Sequence, residues 1–384
     1  MLIPIADVPR WYAERKPKDT IAVSHGTDAI TWEQLERNAN RRARAFAAKG
    51  VKPGDFVAIG LPNSNVFFET TFAVWKCGAT PTSLTWRLPR GEAAAVLDIL
   101  KPSLVVGGQP DWNAPNSLPA DFVPEGVSDE PVTNPVARYW KAMTSGGSTG
   151  RPKVILDHMP AVVETTFPSA LGIPQNGSLL NPGPLYHNAP FIVSHTALFN
   201  GGRVTGLVKF DAEETLRLIE ANRVQWVNFV PTMMHRIWAL PDEVRNAYDL
   251  SSLQIVFHMA APMPPWLKEK WIEWLGPERI YELYGGTERQ GATIISGTEW
   301  GWRTRVPSAR SARPRACASS ARTATTSRPA KPARFISCPM TAPALPITIS
   351  APSRNAGPTA GNRSATSEGW MPRAISISAT GSPT

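Results

Sequence analysis

The sequence predicts an α/β fold built on largely parallel sheets. Short apolar runs bounded by turn residues recur along the chain, and helical stretches separate them. The chain has 384 residues and is 42% hydrophobic, enough for a sizeable core in one large domain or two ordinary ones.

The elements follow in order. Thr31-Trp32-Glu33-Gln34 reads as a capping box, with Thr31 as N-cap and Gln34 reaching back. Leu35, Ala39, Ala43, Phe46 and Ala47 recur at helical spacing, and Lys49-Gly50 closes the helix. After the Pro53-Gly54-Asp55 turn, the apolar run Phe56–Leu61 predicts a buried strand. A second helix is expected through Phe67–Lys76, and a further strand at Leu104–Gly107. Residues 111–136, rich in Pro, Asn and Asp, read as a connecting loop. The alternation resumes with Ala212–Asn222 (helix), Trp226–Val230 (strand), Met233–Leu240 (helix) and Gln254–Phe257 (strand). Trp266, Trp271 and Trp274 fall on one more helix as core or interface residues.

The formal charge of +9 invites a nucleic-acid reading, but its distribution argues against one. Residues 301–384 hold twelve Lys and Arg and the single acid Glu368, so residues 1–300 carry a net charge of −2. Cys77, Cys317 and Cys338 make no metal-binding spacing, and His25, His158, His195 and His235 read as structural or surface residues. No stretch approaches the roughly 20 apolar residues of a membrane span, and no basic leader opens the chain. A cytoplasmic protein without a transmembrane segment and without a nucleic-acid partner is expected.

The strongest chemical feature is Thr144-Ser145-Gly146-Gly147-Ser148-Thr149-Gly150-Arg151-Pro152-Lys153. Glycines let successive backbone N–H groups turn inward as an anion nest, the hydroxyls add donors, and Lys153 adds a positive charge. This suits a polyphosphate. It is not the Walker A pattern, because no Lys-Ser or Lys-Thr follows the last glycine. A flexible Gly/Ser linker is the bland alternative. Against it stand the apolar run Val154-Ile155-Leu156 and the Pro-Lys pair.

The loop resembles the phosphate-binding motif of the adenylate-forming superfamily, which includes acyl-CoA synthetases, luciferases and nonribosomal adenylation domains. Val154 stands where that motif usually ends in glycine. Tyr284-Gly285-Gly286-Thr287-Glu288 resembles the same family's YGxTE motif. There the resemblance implies that Tyr284 packs on adenine, Thr287 meets the α-phosphate and Glu288 helps hold Mg²⁺. Pro184-Leu185-Tyr186-His187 resembles the aromatic-His motif, which puts His187 near the acyl carboxylate and the thiol entry. His258-Met259-Ala260-Ala261-Pro262 resembles the segment lining the adenine pocket. Val230-Pro231-Thr232 and Phe210-Asp211 are weaker matches. The resemblance covers about residues 8–300. It implies the large N-terminal domain of that fold: two layered αβ subdomains plus a distorted β-barrel.

The implied reaction activates a small-molecule carboxylic acid with ATP and Mg²⁺ to acyl-AMP, then transfers the acyl group to coenzyme A. His187, Thr287, Glu288 and Lys153 are the candidate catalytic residues. The nucleotide would be held by residues 144–150 and 153, Ala260, Ala261, Pro262 and residues 284–287. An amino-acid adenylation domain and a non-catalytic nucleotide-binding remnant are the alternatives. The variant loop and Gly297-Thr298-Glu299-Trp300 resemble ligases acting on bile acids, steroid side chains or longer fatty acids.

After Trp300 the composition shifts to Ala, Arg, Ser, Pro and Thr without periodicity, which reads as disorder. The family's Gly-Asp, hinge and small C-terminal domain are not readable there. A frameshift beside Trp300 accounts for this. One base off, Gly301–Arg310 permits a Pro-Gly-Ser-Val-Gly-Arg like that of relatives. Trp370-Met371-Pro372, whose first two residues have one codon each, must then read Asp-Ala. A natural basic tail is the alternative. The expected organisation is an AMP-binding N-terminal domain over 1–300 and an out-of-frame tail over 301–384, with adenylation by this chain severely reduced.

Overall fold

A computed structural model describes residues 1–133, 135–145, 152–166, 169–288, 291–304 and 348–350, with the side chains of 145, 302–304 and 348–350 left aside. All of these belong to one unit, Met1–Ala351. Strand β1 (Leu2–Pro4) leads to helix α1 (Val8–Ala13), the hairpin β2 (Ile21–His25) and β3 (Asp28–Thr31), and the long helix α2 (Trp32–Ala48). Then come β4 (Phe56–Gly60), α3 (Asn65–Lys76), β5 (Thr80–Ser83), α4 (Arg90–Leu100), β6 (Leu104–Gly107) and β7 (Ser117–Leu118). Beyond the connecting loop lie β8 (Lys141–Ser145), β9 (Lys153–Asp157), β10 (Val162–Glu164) and β11 (Ser178–Asn181). The chain continues through α5 (Asn188–Phe199), β12 (Arg203–Gly206), α6 (Ala212–Ala221), β13 (Trp226–Phe229), α7 (Pro231–Trp238) and α8 (Asp242–Arg245). It ends with β14 (Ile255–Met259), α9 (Pro265–Leu275), β15 (Ile280–Gly285), β16 (Ala292–Ser296), α10 (Gly297–Thr304) and β17 (Thr348–Ser350).

Two large mixed sheets result. One runs in the order β16-β15-β14-β13-β11-β12-β2-β3, parallel except at its two edges. The other runs β17-β9-β8-β5-β4-β6-β7, parallel from β8 to β7 and antiparallel beyond β8. Both match the parallel α/β expectation. A small antiparallel pair, β1–β10, stands apart. Among the described residues the strands fall into these three sheets.

The local reasons for the elements are visible. The Thr31 hydroxyl accepts from Gln34 N at 3.2 Å, and Gln34 Oε1 accepts from Thr31 N at 2.8 Å, so the capping box is closed. Helix α2 buries Leu35, Ala39, Ala43 and Phe46. A fully buried Leu or Phe contributes about 1.5–3 kcal/mol. Two buried ion pairs then lock α2 to α3, Arg42–Glu69 at 3.0 Å and Lys76–Glu36 at 2.8 Å. They run in opposite senses across the two helices, which fixes their register. Helix α7 begins at Pro231 rather than Met233, because proline at the first helical position loses no hydrogen bond. The connecting loop holds one 3-10 turn (Pro110–Trp112) and the short strand β7. His25 and His195 are buried, as structural histidines should be, and Trp271 is in the core while Trp266 is 47% exposed.

Helix α10 runs across the Trp300 boundary, and β17 pairs antiparallel with β9 through Thr348–Ile155, Ile349–Val154 and Ser350–Lys153. The remainder of 305–384, where the out-of-frame tail is expected, lies outside the described residues. No helix among the described residues is long and apolar enough to cross a membrane.

Candidate active site

The chain order around β11 marks a topological switch point. From β11 the chain crosses to β12 on one side, then returns through α6 to β13 on the other, and continues outward to β14 and β15. Such a reversal leaves a gap at the carboxyl ends of the strands, where open α/β sheets bind ligands. Three of the four motifs lie at those ends. His187 follows β11, Ala260–Pro262 follows β14, and Tyr284–Glu288 closes β15. The fourth is the hairpin of the other sheet, β8–β9, in which Ser145 pairs with Lys153 and Thr144 with Val154.

His187 is the N-cap of α5 (φ −86°, ψ 148°), and Phe191 N donates to its carbonyl at 3.0 Å. Its ring lies 4.6 Å from that of Tyr186. The side chain is exposed on one face, yet desolvation by the surrounding protein holds its pKa below the usual histidine value. A largely neutral imidazole at pH 7 follows.

Sequence reasoning missed what holds this segment. Asn63, buried after β4, donates through Nδ2 to Gly183 O (2.9 Å) and Leu207 O (2.8 Å) and accepts from Leu185 N (2.8 Å). Asn181 closes the same turn, donating to Gly183 O at 3.0 Å and accepting from Gly183 N at 3.2 Å. The loop leading to His187 is therefore pinned to both its neighbours. In sequence Asn63 is only part of a Pro-Asn-Ser turn, and nothing local marks its distant partners.

The next lip is made of small residues. Ala260, Ala261 and Pro262 are all exposed, and Ala260 has φ +72°. A non-glycine residue in the left-handed region is strained, and such strain gathers at ligand sites. Beside it, Tyr284 is 81% exposed, while Thr287 and Glu288 are half-buried in the turn after β15.

On the hairpin, the Thr144 hydroxyl donates to Ser83 O at 3.5 Å and Lys153 is half-buried. Gly146, Gly147, Ser148, Thr149 and Gly150 lie outside the described residues, as does the side chain of Ser145. No group of three or more His, Cys, Asp or Glu among the described residues could cage a metal. One half-buried carboxylate does fit Mg²⁺ carried on phosphates, since that ion takes one or two carboxylates and fills its shell with phosphate oxygens and water. The weaker sequence signals have structural reasons. Asp211 caps α6, accepting from Glu214 N at 2.9 Å, and Pro231 opens α7.

A parallel sheet with small-residue loops at a switch point, accompanied by a second mixed sheet, defines an open α/β class whose ligands bind at the carboxyl ends of the strands. The chain belongs to the AMP-binding enzyme family, whose model matches residues 9–318. It is 34% identical over 292 residues to a feruloyl-CoA synthase of Amycolatopsis sp, covering 71% of this chain and 57% of that protein. It is 25% identical over 278 residues to the long-chain-fatty-acid–CoA ligase FadD13 of Mycobacterium tuberculosis, covering 66% and 55%. The chain thus spans little more than half the length of these relatives. Its fold resembles the N-terminal domain of FACL13 from Mycobacterium tuberculosis, with TM-score 0.68 and 22% identity over 78% of this chain and 80% of that one.

Proposed function

We propose that this chain is the nucleotide-binding part of an acyl-CoA ligase, which converts a carboxylic acid and ATP to acyl-AMP and pyrophosphate and then passes the acyl group to coenzyme A. The observation that carries the reading is the arrival of three motif-bearing loops at one carboxyl edge of a switch-point sheet. Family membership and the names of the relatives support it.

In this reading Lys153 and the backbone N–H groups of residues 144–150 receive the triphosphate. Tyr284 covers adenine, and the lip Ala260–Pro262 borders it with side chains too small to obstruct. Thr287 donates its hydroxyl to an α-phosphate oxygen. Glu288 would be the protein's ligand to Mg²⁺, which supplies charge neutralisation on the phosphates when bound. A carboxylate oxygen of the acid attacks the α-phosphorus as its bond to the pyrophosphate oxygen breaks. The thiolate of coenzyme A then attacks the acyl carbonyl and AMP leaves. The chain's contribution is positioning and charge stabilisation, with no covalent enzyme nucleophile. His187, largely neutral, lies on the acyl side and can accept a hydrogen bond without adding charge.

Relatives named for feruloyl, long-chain fatty acyl and 3-oxocholest-4-en-26-oate groups favour an acid with a large apolar body. Residues 301–384 we read as an out-of-frame continuation. Carboxylate-dependent ATP–pyrophosphate exchange tests both readings on two proteins. The frame-restored protein should exchange with at least one aromatic, fatty or steroid acid, and the 384-residue chain should be at least about 100-fold slower. Exchange by neither overturns the ligase reading, and equal exchange by both overturns the frameshift.

A further inference from the structure

The face of the sheet beneath the two nucleotide loops carries a charged cluster that packing does not require. His258 of β14 is directly opposite Glu282 of β15. Each lies two residues before a proposed nucleotide contact, Ala260 and Tyr284; Glu282 and Tyr284 share one face of β15, about 6–7 Å apart, while Ala260 is the first residue past the end of β14. Lys268 of α9 donates to Glu282 Oε2 at 2.5 Å. Lys268 is 1% exposed and His258 fully buried, whereas Glu282 is half-buried. Both ring nitrogens of His258 lack a hydrogen-bond partner, and Nε2 is 4.0 Å from the same Glu282 oxygen. Burial and the Lys268 charge press the His258 pKa down to about 4, so this approach is not an ion pair at pH 7. Lys268 Nζ also lies 5.1 Å from the Trp300 ring centre on α10.

A buried lysine is costly to desolvate, and a similarly shaped apolar residue would fill the space as well. What the Lys268–Glu282 bond adds is a tether. The chain from β14 through the Ala260–Pro262 lip enters α9 and reaches Lys268, which grips β15 two residues before Tyr284. One carboxylate thus connects both lips, and the unpartnered His258 Nε2 offers it a second contact close by.

We infer that Lys268 and Glu282, with His258 beside them, form a positioning layer that sets the spacing of the Ala260–Pro262 and Tyr284–Glu288 lips and so governs nucleotide affinity without touching the ligand. The affinity half rests on the function proposed above, and the spacing half does not. None of the three is a catalytic residue.

The test compares Lys268→Met and Glu282→Gln with Lys268→Arg and with Leu35→Ala, a core lesion on α2 far from this layer in sequence. Amide exchange is followed in the ligand-free 384-residue chain, and MgATP affinity by calorimetry. In Lys268→Met the amides of Ala260, Ala261, Met263 and residues 284–288 should exchange about tenfold faster, with those of α3 unchanged, and the Kd for MgATP should rise at least about fivefold. Glu282→Gln should act in the same direction and serves if the lysine variant does not fold. Lys268→Arg should restore both readouts. Leu35→Ala should lower Tm yet leave the lips and the Kd within twofold of wild type. Lips that stay protected in Lys268→Met and Glu282→Gln overturn the inference, as does an equal loosening in Leu35→Ala. Wild-type chain that binds no MgATP overturns the affinity half and leaves the functional reading to the frame-restored protein, while the exchange data still decide the spacing half.

Discussion

Ala260 is held at φ +72°, where an L side chain crowds the following carbonyl at a cost of about 1–2 kcal/mol. Glycine would remove that strain but lose about 0.5–1 kcal/mol to its freer unfolded chain. Ala260→Gly should therefore leave stability unchanged or raise it by up to about 1.5 kcal/mol, read by denaturant unfolding. A clear loss would mean that the methyl group packs usefully. His195 shows burial acting on a charge. Its ring is enclosed by Phe68, Phe72, Trp75, Phe191 and Phe199, and Nδ1 bonds Phe191 O at 2.8 Å. Desolvation brings its pKa from 6.5 to about 3. The folded pKa lies below the unfolded one, so the unfolded chain takes the proton first as pH falls. The stability this neutral ring contributes is complete above pH 6.5 and is lost at up to about 1.4 kcal/mol per pH unit below it. His195→Leu should flatten the fall of Tm between pH 6 and 4.5, and an unchanged slope would assign the acid sensitivity elsewhere.

Among the elements, the α2–α3 pair shows which features a sequence reveals. The capping box, the apolar stripe of α2 and the closing Lys49-Gly50 are local, and each was legible. The buried Arg42–Glu69 pair was not, because its partners are 27 residues apart and both residue types are ordinarily exposed. Asn38 also donates to Glu69, so the carboxylate is fully engaged. Arg42→Met should cost about 3–5 kcal/mol by stranding Glu69, and adding Glu69→Met should recover much of that loss, as a thermal or denaturant double-mutant cycle would show. Equal instability of single and double variants would contradict this. The candidate site divides in the same way. Its loops could be read because their residue types are distinctive, whereas Asn63 and Lys268 could not, since their roles exist only once distant strands meet.

At the scale of the whole molecule, motif order along the chain becomes adjacency because the parallel sheet delivers successive loops to one edge. That carries His187, Ala260–Pro262 and Tyr284–Glu288 to a common side. It does not by itself join them to the β8–β9 hairpin, which belongs to the other sheet. In the proposed function one ATP bridges the two, with Lys153 on its phosphates and Glu288 on its metal ion. An acyl-phosphate derivative of ATP, which acylates a lysine lying against the phosphates, tests this by peptide mass spectrometry. The expected result is labelling of Lys153 that free ATP suppresses and that Glu288→Gln lowers at least about tenfold in the presence of Mg²⁺. Labelling of other lysines only, or labelling of Lys153 indifferent to both ATP and Glu288→Gln, would contradict it.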